Sequence, residues 1–241
     1  MTLFINFYPC YLSNFNIRRN CLRVGLCYTL KMALRKQTFA INEFYHLYNR
    51  GTDKRIIFLE QKDYRHFLFL MYNCNTTKSI ELRNIGENFD REETIVDIGV
   101  YCLMPNHFHI LVREKIEGGI SKYMLKLLTA YSMYFNKKYE RTGKLYEGKF
   151  KSTYVNTDRY LKYLYSYIHL NPAKLIDENW KESKNRNTTN LLKYISSYPY
   201  SSMKEYANFE FKIIDPKPFP TYFKKPSDHR KELWEWLNFN N

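Results

Sequence analysis

The chain has 241 residues and carries 38 Lys and Arg against 24 Asp and Glu, a net charge of +14. Apolar residues make up 44% of it, enough to fill a core, so wholesale disorder is excluded. No run of about 18 apolar residues is present, so a membrane-spanning helix is excluded as well. The charge favours an anionic partner. Nucleic acid fits better than a membrane surface, because no basic amphipathic anchor stands out.

Residues 1–31 differ from the rest. They hold three of the five cysteines (Cys10, Cys21, Cys27) and show no clean periodicity. Basic residues follow the first apolar run and no small-residue cleavage site closes it, so the segment does not read as a signal peptide. Met32 opens MALRKQTFA, which reads as an ordinary cytosolic start. We therefore expect residues 1–31 to be an N-terminal extension, from a mis-assigned start or poorly ordered. The five scattered cysteines, with no CxxC pair, suit a reducing cytoplasm and argue against a cysteine zinc site.

From Phe44 to Asn49 the pattern is strand-like and ends at the turn signal Arg50-Gly51. Asp63 to Tyr72 has helical spacing in His66, Phe67, Leu70 and Met71. Asn75 to Glu93 is polar and reads as a loop. Thr94 to Leu103 reads as a strand, Met104-Pro105-Asn106 as a turn, and His107 to Val112 as the next strand. After Gly118-Gly119, the apolar positions Ile120, Met124, Leu127, Leu128, Tyr131, Met133 and Phe135 predict an amphipathic helix. Phe150 to Val155 suits another strand. Asn156 or Thr157 can cap a helix from Asp158 to about Leu170, which Pro172 should stop. One further helix is expected near Ser201 to Ala207, before a tail ending in Trp234 and Trp236. There is no internal repeat, and the element order suggests an α+β sandwich on an antiparallel sheet.

Three features could carry chemistry. The first is His107-Phe108-His109. On a strand, residues i and i+2 share a face, so both imidazoles could meet one metal ion while Phe108 enters the core. The alternative is two polar residues on a solvated face. Apolar runs on both sides count against it, because unpaired histidines in a buried strand are costly. The second is the helix DRYLKYLYSYIHLN, on which Tyr160, Tyr163 or Leu164, Tyr167 and Asn171 share a face. Such stripes are usually core. Yet Asn171 is odd for a core face, and a carboxamide oxygen one turn from a Tyr167 hydroxyl could place a nucleophile beside a hard metal. The third is the basic stretch RTGKLYEGKFKS, where Lys144, Lys149 and Lys151 could meet phosphates and Tyr146 and Phe150 could stack on bases. Taken alone, it reads better as an ordinary solvated basic loop.

Taken together and in order, YHLYNRG (45–51), YCLMPNHFHILV (101–112), GGISKYMLKLLTAYSMYFNKKY (118–139), RTGKLYEGKFKS (141–152) and YLYSYIHLNPAKL (163–175) resemble the single-tyrosine HUH transposases. The closest likeness is to the REP-associated tyrosine transposases. MPNHFHILV followed by Y-I-x-x-N-P is far more specific than either half, and YPYSS (198–202) also resembles a segment found after the core of that group. The chain departs from compact members in its N-terminal extension and longer tail.

The resemblance implies an HUH-endonuclease fold, a ferredoxin-like or RRM-like antiparallel sheet with packed helices, over residues 32–176. Residues 177–241 form a C-terminal extension. It implies Tyr167 as the catalytic nucleophile, with Tyr163 and Tyr165 as backups, and His107, His109 and Asn171 as ligands of Mg²⁺ or Mn²⁺. Arg50, Arg141, Lys144, Tyr146, Lys149, Phe150 and Lys151 become DNA-binding candidates. The implied partner is single-stranded DNA with a hairpin, cleaved in the cytoplasm through a 5′-phosphotyrosine link without a nucleotide cofactor, by a monomer or homodimer. A catalytically silent DNA-binding regulator on the same fold is the alternative, and a hydrolase using water as nucleophile is a third reading.

Overall fold

The computed structural model describes residues 38–79, 90–182 and 187–238; the expectations for residues 1–31 lie outside them. Four strands form one sheet: β1 (Phe44–Arg50), β2 (Val96–Met104), β3 (His107–Glu114) and β4 (Lys151–Tyr154). Their order is β2-β3-β1-β4, and every neighbouring pair is antiparallel. Helix α1 (Gln61–Asn73) joins β1 to β2, and α2 (Gly119–Lys138) joins β3 to β4. This is the βαββαβ arrangement of ferredoxin-like folds, so the expected α+β class and antiparallel sheet hold.

Alternation along the strands decides which face does what. Tyr45 lies opposite Val112, and Leu47 opposite Ile110. These residues and Phe108 are buried and point to the face covered by α1 and α2. Phe67 of α1 meets the Phe108 ring at 5.4 Å and the Tyr131 ring of α2 at 4.9 Å. Burying each such ring contributes about 2–3 kcal/mol. Asp63, fully buried on α1, ties the two helices together: it accepts hydrogen bonds from the hydroxyls of Tyr134 on α2 and of Tyr139 just after it, and pairs with Lys138. Met133, expected on the apolar stripe of α2, is 64% exposed, because the helix turns that position away from the sheet.

The residues between those positions point the other way. On this second face His46 lies opposite Leu111, Tyr48 opposite His109, and Arg50 opposite His107. Helix α3 (Asp158–Leu170) packs here, burying Leu161, Leu164, Tyr165 and Ile168. Its first turn is capped by Thr157, whose hydroxyl accepts from the Tyr160 amide at 3.2 Å. The α-helix ends at Leu170, as expected ahead of Pro172. The chain continues as a 3₁₀ turn over Asn171–Leu175 with the proline at its start, where a missing N–H costs nothing.

The C-terminal part forms three helices rather than one: α4 (Thr188–Ser197), α5 (Met203–Asn208) and α6 (Pro226–Asn238). Leu170, Ala173, Trp180, Leu191, Ile195, Met203, Leu233 and Leu237 make a second apolar cluster with them. Between α4 and α5 the chain runs along the outer edge of β2. The Leu103 amide donates to the Tyr200 carbonyl at 2.9 Å, and the Ser202 amide to the Tyr101 carbonyl at 3.0 Å. The Ser202 hydroxyl accepts from the Tyr101 amide at 3.0 Å, and the Tyr198 and Tyr206 hydroxyls donate to the carbonyls of Leu103 and Gly99. Backbone groups that would be unpaired at a sheet edge are thereby satisfied. Among the described residues no helix is long and apolar enough to cross a membrane.

Candidate active site

His107 and His109 stand two residues apart on β3, so the pleat aims both at the face under α3. His109 is 7% exposed. Its Nδ1 lies 2.9 Å from Nε2 of His46 on β1, which is also buried. His107 Nδ1 lies 2.6 Å from the Asn106 side-chain oxygen. Each of the two β3 histidines thus has its Nδ1 engaged, and Nε2 is the nitrogen left to bind a ligand.

Burial keeps all three rings neutral. The pKa values of His46 and His107 are pushed down to about 4, with Lys174 and Arg50 adding to the effect at His107. Burial holds His109 well below the ordinary histidine range, helped by His46 and His107. Neutral imidazole is the metal-binding form.

Helix α3 brings Tyr167 over this pair. Its ring lies edge-on, 5.7 Å from the His109 ring and 6.1 Å from that of His46. Tyr163 stacks on Tyr167 at 5.7 Å and Tyr160 on Tyr163 at 6.1 Å, so the stripe is a ladder of rings along one side of the helix. Burial raises the Tyr167 pKa, and the neighbouring hydroxyls of Tyr163, Tyr160 and Tyr48 raise it further. The phenol therefore keeps its proton unless positive charge is brought to it. The Lys181 ammonium, 5.7 Å from the Tyr167 ring centre, is one nearby source.

Asn171 is almost fully buried, and its amide nitrogen donates to the Tyr167 carbonyl at 2.9 Å. With the nitrogen committed, the side-chain oxygen is the atom available to a cation. Tyr165 points elsewhere, into the aromatic cluster of Tyr206, Phe219 and Tyr222. Tyr163 is braced by the edge of Trp236 at 5.4 Å.

His107, His109, Tyr167 and Asn171 line one open cleft of about 520 Å³. Its wall includes four cations (Arg50, Lys54, Lys151, Lys174) and two carboxylates (Glu147, Glu178), a balance that favours an anionic ligand. Among the described residues no group of three His, Cys, Asp or Glu side chains is placed to hold a metal ion. His46 does not complete a trio, because its Nε2 already faces His109. Two imidazole nitrogens and the Asn171 oxygen fit a hard divalent cation that keeps several waters, as Mg²⁺ and Mn²⁺ do.

The DNA-binding candidates separate into groups. Arg50 and Lys151 line the cleft, Arg50 in an ion pair with Glu147 at 2.5 Å. Lys144 and Lys149 lie exposed on the loop before β4. Arg141 is drawn back onto α2, bonded to the Asn136 side-chain oxygen at 3.1 Å. Tyr146 is a correction: it is 6% exposed, with its ring against the Phe108 ring at 6.2 Å, and offers no face to a base. An aromatic residue among lysines reads as surface, but Gly51 pairs with Tyr146 across a β-bridge and pulls it into the core. Phe150 is half-buried and stacks on Phe39 at 6.2 Å. His46, Tyr48, Lys54 and Lys174 belong to the site and were not singled out above. The alternation Tyr45-His46-Leu47-Tyr48 was the available signal for the first two.

Residues 75–171 match the family model described as Transposase IS200 like. The matched stretch runs from just after α1 to Asn171, one residue past α3, and contains both histidines, Tyr167 and Asn171. A solved structure of a REP-associated tyrosine transposase bound to a REP hairpin is similar at 12% identity and a TM-score of 0.47, over 74% of this chain and 88% of that one. A search of curated proteins found no match.

Proposed function

We propose that this chain is a metal-dependent enzyme that nicks and rejoins single-stranded DNA at or near a hairpin, in DNA transposition or REP-element processing. The observation that carries the reading is the convergence of His107, His109, Asn171 and Tyr167 on one cationic cleft. The match of residues 75–171 to the family model described as Transposase IS200 like supports it.

In this reading His107 and His109, through Nε2, and Asn171, through its side-chain oxygen, hold a divalent cation. When bound there, the cation supplies positive charge against the oxygens of the scissile phosphate. The cleft cations Arg50, Lys54, Lys151 and Lys174 orient the flanking phosphates. The Tyr167 oxygen attacks phosphorus in line, a phosphorus–oxygen bond forms, and the bond to the 3′ oxygen breaks. The phenol loses its proton and the departing 3′ oxygen gains one, leaving a 5′-phosphotyrosine and a free 3′-hydroxyl. The phosphoester energy stays in the covalent link, so rejoining needs no nucleotide cofactor. The raised Tyr167 pKa fits a nucleophile that stays protonated until the phosphate and its counter-charge arrive.

Covalent capture tests the proposal. The protein is mixed with labelled single-stranded DNA from the flanks of its own gene, with Mg²⁺ or Mn²⁺, and run on a denaturing gel. The expected result is a protein–DNA adduct that disappears in Tyr167→Phe and in His107→Ala. Cleavage that survives Tyr167→Phe would refute the nucleophile and favour a hydrolase. Specific native-gel complexes without an adduct from any flanking hairpin would favour a catalytically silent regulator.

A further inference from the structure

We infer that His46 is a positioning residue, which holds the His109 ring in the tautomer that turns its Nε2 lone pair toward the cleft. The inference rests on the proposed role of His109 as a ligand. His46 and His109 stand on adjacent strands, their rings 27° from parallel with centroids 5.0 Å apart. Their 2.9 Å nitrogen–nitrogen contact holds one proton between two ring nitrogens. Only two arrangements exist. If His109 Nδ1–H donates to His46 Nε2, then His109 Nε2 is bare and can bind a cation. If His46 Nε2–H donates, a neutral His109 carries its proton on Nε2 and cannot. The direction of this one hydrogen bond decides whether His109 is a ligand at all.

Packing holds the acceptor in place. His46 is 6% exposed, and the rings of Tyr48 and Tyr167 lie 5.1 Å and 6.1 Å from its own. It therefore touches the candidate ligand and the candidate nucleophile at once. His107 obtains the same service from a different source, the side-chain oxygen of the preceding Asn106. The two ligands are oriented independently, so loss of one support should leave the other intact.

Mn²⁺ affinity, read by titration calorimetry or by the EPR signal of free ion, tests the idea without DNA. His46→Leu removes the acceptor and should weaken Mn²⁺ binding by roughly 10–100-fold with the circular dichroism unchanged. His46→Gln keeps an acceptor oxygen and should recover most of the affinity. In the metal-free wild type, ¹⁵N spectra of the imidazoles, assigned by loss of signals in His109→Gln, should show His109 protonated on Nδ1. Wild-type affinity in a folded His46→Leu, or a His109 proton on Nε2, would overturn the inference while leaving the nicking reading untouched. If the wild-type protein bound no Mn²⁺ and captured no DNA, the reading beneath it would fall as well.

Discussion

His229 offers a quantitative test of how the C-terminal helices are held. It lies on α6, 1% exposed, with its Nε2 3.1 Å from His169 Nδ1 and the Phe223 ring stacked on it at 4.3 Å. Its other nitrogen is buried without a hydrogen-bond partner. Burial pushes its pKa from 6.5 down to about 4. The unfolded chain takes up a proton near 6.5 and the folded chain only near 4. The stability this residue contributes is therefore complete above pH 6.5 and is lost as the pH falls toward 4. At ~1.36 kcal/mol per pH unit the interval is worth about 3 kcal/mol, of which about 2 kcal/mol is gone by pH 5. Urea unfolding of wild type and His229→Gln at pH 7 and pH 5 reads it directly. Whatever the stability gap between the two proteins at pH 7, it should shift by about 2 kcal/mol in favour of the variant at pH 5. Parallel loss of stability in both proteins would refute the assignment of a neutral, desolvated imidazole.

Two substitutions probe the frame of the cleft. A Cβ on Gly51 would stand 2.4 Å from the Arg55 carbonyl oxygen and 2.8 Å from Ile57 Cγ2. Gly51→Ala should therefore cost about 2 kcal/mol in chemical denaturation. Because the Gly51 amide also donates to the Asn106 carbonyl beside His107, the variant should bind Mn²⁺ more weakly than its stability alone explains. Thr157→Ala removes the cap of α3 and should lower stability by about 1 kcal/mol, a fall in Tm of roughly 2–4 °C by calorimetry, while leaving Tyr167 able to form an adduct.

The sequence was most informative where its period was clean. Strands β1 and β3 and helices α1 to α3 follow alternation or three-to-four spacing, β2 reads as an apolar β-branched run, and element ends fall at Gly51, Pro105, Thr157 and Asn171. Helices α4 and α6 carry weaker signals. The first opens with Thr188, Thr189 and Asn190, poor helix formers stabilised by the Asn187 cap, and the second buries only His229, Leu233 and Leu237. In the site, residues on one element could be placed by spacing alone, as with the two β3 histidines and the pair Tyr167 and Asn171. What spacing could not supply was cross-strand register. His46 joins His109 only because β1 runs antiparallel beside β3 with Tyr48 opposite His109. Tyr146 was misjudged for the same reason, since its partner Gly51 lies far away in the chain.

The way residues 198–202 lie along β2 bears on assembly and on how the protein can be cut. All nine residues of β2 are buried, and the chain's own tail occupies the side of that strand where a second molecule would otherwise add. Extension of the sheet by another chain is left to β4, a four-residue strand that begins with the exposed Lys151 and offers a short ladder. A shortened protein ending near residue 176 would expose a long apolar template for self-association. Its precipitation would then report an uncovered strand and say nothing about the chemistry of the cleft, so the cleft should be dissected by point substitution in the 241-residue chain.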